Sequence, residues 1–146
     1  MNTSDAPDKD LADKLYREGM TYNWRGDDSL ANATLARALF ERSARLGHTK
    51  ALRELAEMMF VGSGGPKEME RALWLKWSAY RKNDEEALEE LVALLESYAE
   101  SGVDSGSQHR AENAARKAEE AGEQLRYVSD FLQALVREKR HLVEGE

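Results

Sequence analysis

Residues 47–83 read GHTKALRELAEMMFVGSGGPKEMERALWLKWSAYRKN, and this stretch decides the fold class. Its first half places apolar side chains three and four positions apart, the spacing of one face of an α-helix. These side chains are Leu52, Leu55, Ala56, Met59 and Phe60. A glycine-rich run with a proline at position 66 interrupts the pattern, and a second helical stripe follows it. The stretch therefore predicts two helices joined by a tight turn.

The same alternation of helical stripes and breakers continues on both sides of this stretch. Two helices are expected before it, and the second of them carries an apolar stripe of Leu35, Ala38, Leu39 and Leu46. Two more are expected after it, separated by the polar run 101–108, and a last amphipathic stretch begins near Leu125. Gly122 marks either a turn before that stretch or a tolerated position in one long helix. No segment alternates as a strand does, so the sequence predicts an all-α chain.

Several residues mark where these helices should begin and end. Gly47 is suited to the position that follows a helix, and Thr49 to capping the next one. Pro66 is expected in the first turn of the fourth helix, where its missing N–H costs nothing. Asn83 and Glu86 have the spacing of a capping box for the fifth helix.

A repeat of 36 residues runs through the chain. Residues of the same or similar type recur at this offset in the pairs Gly26 and Gly62, Ala36 and Ala72, and Gly47 and Asn83. A period of this length is typical of helix–turn–helix arrays, in which each pair buries its apolar face against its neighbours.

The residues 47–83 resemble a Sel-one-like repeat, a relative of the tetratricopeptide repeat. The residues that fall on the positions of the repeat pattern are Ala51, Leu55, Ala56, Met59, Gly62, Gly64, Arg71, Ala72, Leu75, Ala79 and Asn83. Met59 replaces a tyrosine of the pattern, Gly65 a valine and Lys76 an aromatic residue. Weaker matches extend the resemblance to about residues 12–122.

The resemblance implies a right-handed α/α superhelical solenoid of about three helix-pair repeats plus a C-terminal capping helix. A flexible tail would occupy 1–7, the repeats 8–122 and the capping helix 123–146. It also implies a non-catalytic protein–protein interaction module with an adaptor, scaffold or regulatory role and no cofactor. The alternative is an immunity protein that binds and neutralises a cognate secreted bacterial toxin.

Composition and motifs narrow the classes of function. The 146 residues carry a net charge of −7, which disfavours nucleic acid and anionic membrane surfaces as partners. Cysteine is absent, and no secretory signal or membrane-spanning run is visible, so a cytoplasmic protein is expected. The three histidines are far apart in sequence, and the run 62–66 lacks the Gly-Lys-Ser or Gly-Lys-Thr of a phosphate loop. We therefore expect no enzyme, metal or cofactor site.

A candidate binding surface follows from the repeat. Arg53 and Glu57 project away from the apolar stripe of their helix, and equivalent positions in the flanking repeats extend them into a ladder. The equivalents are Arg17 and Thr21 on one side, and Glu89 and Ala93 on the other. The ladder continues into an acidic cluster of Glu86, Glu89 and Glu90, which a partner with basic residues would suit. The alternative is that these positions are only solvated surface.

Two tryptophans are further candidates for partner contact. Trp24 lies near the predicted end of the first helix, and Trp74 lies off the apolar line of its own helix. An exposed tryptophan often marks an interface. Packing between repeats is the alternative for both.

Overall fold

The computed structural model describes the backbone of residues 5–23, 30–120 and 125–138, and most of their side chains. These residues form seven α-helices and no strand, which confirms the all-α prediction. The helices are α1 (Asp5–Asn23), α2 (Leu30–Arg45), α3 (Thr49–Val61), α4 (Met69–Arg81), α5 (Glu86–Ala99), α6 (Ser105–Glu120) and α7 (Leu125–Glu138).

The chain divides into two compact units. The first, Met1–Glu68, contains α1 to α3, and the second, Met69–Glu146, contains α4 to α7. The boundary falls inside the predicted middle repeat, just before α4 begins.

In the first unit, α2 packs against both α1 and α3. Gly19 lets α1 approach closely, because a Cβ atom there would lie 2.7 Å from Cε1 of Phe40. The Ser43 hydroxyl donates a hydrogen bond of 2.6 Å to the carbonyl oxygen of Ala12, which ties the two helices at a second point. Small residues at the crossing therefore fix how near the helices come.

The buried stripe of α2 differs from the predicted one. It consists of Ala36, Arg37, Leu39, Phe40 and Ser43. Leu35 and Ala38, which were expected to face inward, are exposed. The residues around Phe40 are covered because α2 has a neighbouring helix on each side. Its two buried polar residues, Arg37 and Ser43, are tolerated there because both form hydrogen bonds.

The turn between α3 and α4 is held against α2. Gly62 and Gly64 have φ angles of 80° and 71°, as a tight turn between helices requires. Arg37 of α2 donates to the carbonyl oxygen of Ser63 (3.3 Å) and pairs with the Glu68 carboxylate (2.9 Å). The glycine-rich run is therefore a turn between helices, as predicted, and not a phosphate loop.

Three predicted helix starts were wrong. The cap of α3 is His48, not Thr49, because the His48 ring accepts the Ala51 N–H. Pro66 precedes α4, which begins at Met69, because the contacts of Arg37 hold residues up to Glu68 in the turn. Asn83 does not open a capping box: its φ of 72° places it in the left-handed conformation that ends α4.

The loop after α5 is also shorter than predicted. The run 101–108 was expected to be a loop, but α6 already begins at Ser105. Asp104 causes this early start, because its carboxylate accepts the Ser107 N–H at 2.9 Å and the Ser107 hydroxyl at 2.8 Å. An aspartate at this position satisfies a helix N–H that has no partner within the helix.

In the second unit, α5 packs against α4 and α6, while α7 packs against α6 and also contacts α4. Ala111, Ala114 and Ala115 of α6 are buried and share one side of the helix. The side chains of α7 that are described and buried are Val128, Phe131, Leu132 and Leu135. Because α6 and α7 pack against each other, they are two helices rather than one; Gly122 itself lies outside the described residues.

Candidate binding surfaces

One side of α5 forms a continuous acidic surface, here called the acidic face. Its exposed positions are Glu86, Glu89, Ala93, Glu96, Ser97 and Glu100. They recur every three or four residues, so they share one side of the helix, while Leu91 and Leu95 are buried on the other. The helix contains no lysine or arginine. Glu86 and Glu89 lie in the first turn, where the helix dipole stabilises negative charge.

The acidic face ends at a cavity between α5 and α6. This cavity has a volume of about 330 Å³ and is lined by Glu96, Ala99, Glu100, Glu112, Ala115 and Arg116. The acidic face contributes Glu96 and Glu100 to this lining, while α6 contributes one carboxylate, Glu112, and one cation, Arg116.

Glu90, which the sequence placed in the same cluster, has a separate role. Its carboxylate oxygen Oε1 lies 2.6 Å from Nζ of Lys76, whose side chain has no exposed surface. Glu90 therefore neutralises a buried ammonium group on α4. This pair was not predicted from the sequence, although Lys76 lies inside the buried stripe of α4, between Leu73 and Trp77.

The first unit has a groove between α1 and the start of α3, here called the α1–α3 groove. It consists of two adjoining cavities of about 520 and 480 Å³. Asp13, His48 and Thr49 line both, with Asp8 and Lys9 on one side and Tyr16, Arg17 and Lys50 on the other.

His48 is held on three sides in this groove. Its Nδ1 accepts the Ala51 N–H at 3.1 Å, and its Nε2 lies 3.0 Å from Oδ1 of Asp13. Its ring stacks on Tyr16 with centroids 4.5 Å apart. Burial lowers the pKa of His48 below its usual value, although the Asp13 carboxylate opposes this shift. Both ring nitrogens have partners within the protein, so the imidazole links α1 to the start of α3.

The ladder residues of the first unit lie partly around this groove. Arg17 lines it. Burial and the nearby Glu54 carboxylate raise the pKa of Tyr16, and Arg53 is close enough to oppose this shift. Thr21 is exposed and its hydroxyl donates to the Arg17 carbonyl oxygen at 3.0 Å. Glu57 is half-buried on α3. The structure thus gathers Arg17 and Arg53 around Tyr16.

The remaining predicted residues belong to α5 and to the tryptophans. Glu86, Glu89 and Ala93 share the acidic face. Trp74 is half-buried on α4, and Trp24 lies outside the described residues. The ladder as a whole spans both compact units and stays a prediction.

Metal-binding clusters and membrane-spanning helices are absent from the part of the chain that the structure describes. No group of three or more histidine or carboxylate side chains comes together there in a way that could hold a metal ion. Within the same ranges, no helix has the length and apolar character needed to cross a membrane. His109 is exposed and lies 3.2 Å from the Asn113 amide on its own helix.

Comparisons with protein-family models, with curated proteins and with solved structures give no match for this chain. The resemblance to the Sel-one-like repeat therefore rests on the residues quoted above.

Proposed function

We propose that this chain is a non-catalytic protein-binding module of the Sel-one-like repeat type that acts in the cytoplasm. Three helix pairs within residues 8–122 would stack as a right-handed α/α solenoid, closed by the helix in 123–146. The helical content, the packing of consecutive helices within each unit and the turn at Gly62 and Gly64 support this proposal.

The observation that carries the proposal is the acidic face of α5. Glu86, Glu89 and Glu96 project from one side of α5, which contains no basic residue, and Glu100 follows directly after the helix. Like charges three and four positions apart on a helix repel one another, as Glu86 and Glu89 do, and Glu96 and Glu100. A partner protein with a basic surface would relieve that repulsion and would be attracted at long range.

Binding to such a partner should depend strongly on salt. Exposed charges steer the encounter of two proteins, and dissolved ions screen them beyond about 10 Å at 0.1 M salt. Charge reversal on the docking face should therefore slow association more than it speeds dissociation.

The test begins with capture of one dominant partner from the native lysate, followed by measurement of association rates across a salt series. The variant is the double reversal Glu86→Lys with Glu89→Lys, which leaves Glu90 and its buried lysine intact. The control is Asp10→Lys with Glu18→Lys, which changes the net charge equally at two exposed positions of α1.

We expect the α5 variant to associate more slowly than the parent and with a flatter dependence on salt. The control variant should differ from the parent in association rate and salt dependence only by the smaller effect of its changed net charge. Equal losses in both variants would show that the acidic face is not the docking surface. Circular dichroism of each variant establishes that the helices are retained.

A further inference from the structure

The hydrogen bonds of His48 fix its protonation state. Nδ1 accepts a hydrogen bond from the Ala51 N–H, so it carries no proton. The proton of the neutral ring must then be on Nε2, which faces the Asp13 carboxylate at 3.0 Å. The histidine that caps α3 is therefore neutral, and its tautomer is set by the Ala51 N–H of α3 and the Asp13 carboxylate of α1.

Protonation would place two donors against each other. A second proton on the ring can go only to Nδ1, which lies 3.1 Å from the backbone nitrogen of Ala51. That nitrogen carries a hydrogen that points at the ring, so the cap bond is lost and the ring must turn away. Turning also ends the stacking on Tyr16, which aligns the ring with α1.

The charged groups around His48 have opposing effects on its pKa. From α1, the groups in the same groove are Asp8, Lys9, Asp13, Tyr16 and Arg17. Lys50 of α3 disfavours a charged ring, while Asp13 favours it. From the end of α2, the contact with His48 is a backbone hydrogen bond, in which the Ser43 carbonyl oxygen accepts the backbone N–H of His48.

We propose that His48 is an acid-released cap, so that one protonation event frees the start of α3 and opens the α1–α3 groove. The inference does not depend on the proposed function, because it concerns the other compact unit and no partner. Its direction follows from burial, which outweighs Asp13 and lowers the pKa of His48. The contribution to stability is fully present above the ordinary value of 6.5 and is lost as the pH falls through the lowered value.

The test is a nuclear magnetic resonance titration of the whole chain between about pH 7.5 and pH 5. Nitrogen shifts of the imidazole report its tautomer and its pKa, and amide exchange at Ala51 reports the cap. We expect the Nε2–H tautomer at the upper end of the range. Once corrected for intrinsic exchange, protection of Ala51 should fall by up to about tenfold for each pH unit between the ordinary value of 6.5 and the lowered pKa of the folded chain, and should level off below that pKa.

Two variants and a control separate the cap from general acid effects. His48→Asn keeps a side-chain acceptor without a titrating ring, so Ala51 protection should lose its dependence on pH. Asp13→Asn removes the group that favours the charged ring, so release should shift to lower pH. His109→Gln removes an exposed histidine and should leave the Ala51 profile unchanged.

An Nδ1–H tautomer, a His48 pKa at or above 6.5, or protection of Ala51 that does not change with pH would each overturn the proposal. If His48→Asn does not fold, the titration of the parent chain still decides, because it measures the tautomer, the pKa and the cap directly.

Discussion

Lys76 of α4 is completely buried, and Glu90 of α5 approaches it from the rim of the core with Oε1 2.6 Å from Nζ. The carboxylate keeps 34% of its side chain exposed, so water reaches one partner and not the other. The pair links the two helices at a point where the neighbouring side chains, Leu73 and Trp77, are apolar. The pair matters for the free energy of unfolding mainly because removal of one partner alone is strongly destabilising.

Glu90→Gln should destabilise the second unit by about 3 kcal/mol, because it removes the negative charge that lies 2.6 Å from a buried ammonium group. This lies at the lower end of the range for buried pairs, since Glu90 is partly exposed and solvent screens it. Urea unfolding followed by circular dichroism measures the loss.

Lys76→Met is the matched control for this prediction. It fills a similar volume without a charge, and replacing a buried ion pair by apolar groups is often neutral or stabilising. We expect the double variant Lys76→Met with Glu90→Gln to be more stable than Glu90→Gln alone. A double variant that is less stable than Glu90→Gln would contradict the assigned role of the pair.

Gly64→Ala should be much more damaging than Gly47→Ala. Both glycines have positive φ, which costs about 1–2 kcal/mol for a residue with a Cβ atom. A Cβ at Gly64 would also clash with the carbonyl oxygen of Ala33, whereas one at Gly47 meets nothing within 4 Å. The difference between the two variants should be about 1–3 kcal/mol in thermal or urea unfolding. Equal losses would mean that the turn does not press against α2.

Leu55→Ala should cost about 2–5 kcal/mol, because this side chain is only 3% exposed in the apolar stripe of α3. Leu30→Ala provides the comparison, since Leu30 is 75% exposed. Surface substitutions of that kind usually change stability by about 0.5 kcal/mol or less. A urea midpoint that moves equally in both variants would refute the assigned core.

The cap of α6 should respond to acid. Hydrogen bonds from the Ser107 backbone and hydroxyl lower the pKa of Asp104 below its usual value. The cap therefore contributes above the ordinary carboxyl pKa and is lost as the pH falls through the lowered one. Asp104→Asn should keep most of the protection of the Ser107 amide and remove its acid dependence, while Asp104→Ala should lose protection at every pH. Amide exchange at Ser107 measures both, and an acid response in Asp104→Asn would contradict the assignment.

The helices and the middle turn were predictable because their signals are local. The apolar stripe around Leu55 has the helical period, and Gly62 and Gly64 supply backbone angles that other residues rarely adopt. Asn83 shows the limit of such signals, because asparagine both caps helix starts and tolerates the left-handed conformation that ends a helix. The sequence cannot choose between those two uses.

Contacts between distant residues were not predictable. Thr49 is the better cap by residue type, but Asp13 and Tyr16 hold the ring of His48 where it can accept the Ala51 N–H. Glu90 looked equivalent to Glu86 and Glu89, and only the packing of α4 against α5 assigns it to Lys76. Glu86 and Glu89 are exposed while Glu90 belongs to a pair with the core, and a binding role for the surface on α5 stays a prediction.

Two turns, 62–68 and the one at Ser101 and Gly102, offer opposite prospects for engineering. Residues 62–68 are clamped by Arg37 and leave no room at Gly64, so an inserted tag or reporter there would strain α2 as well as the turn. Ser101 and Gly102 are exposed, and a Cβ at Gly102 would meet nothing within 4 Å. An epitope or a fluorescent domain should therefore be accommodated between those two residues, and that position would let the protein be labelled internally without touching either end of the chain.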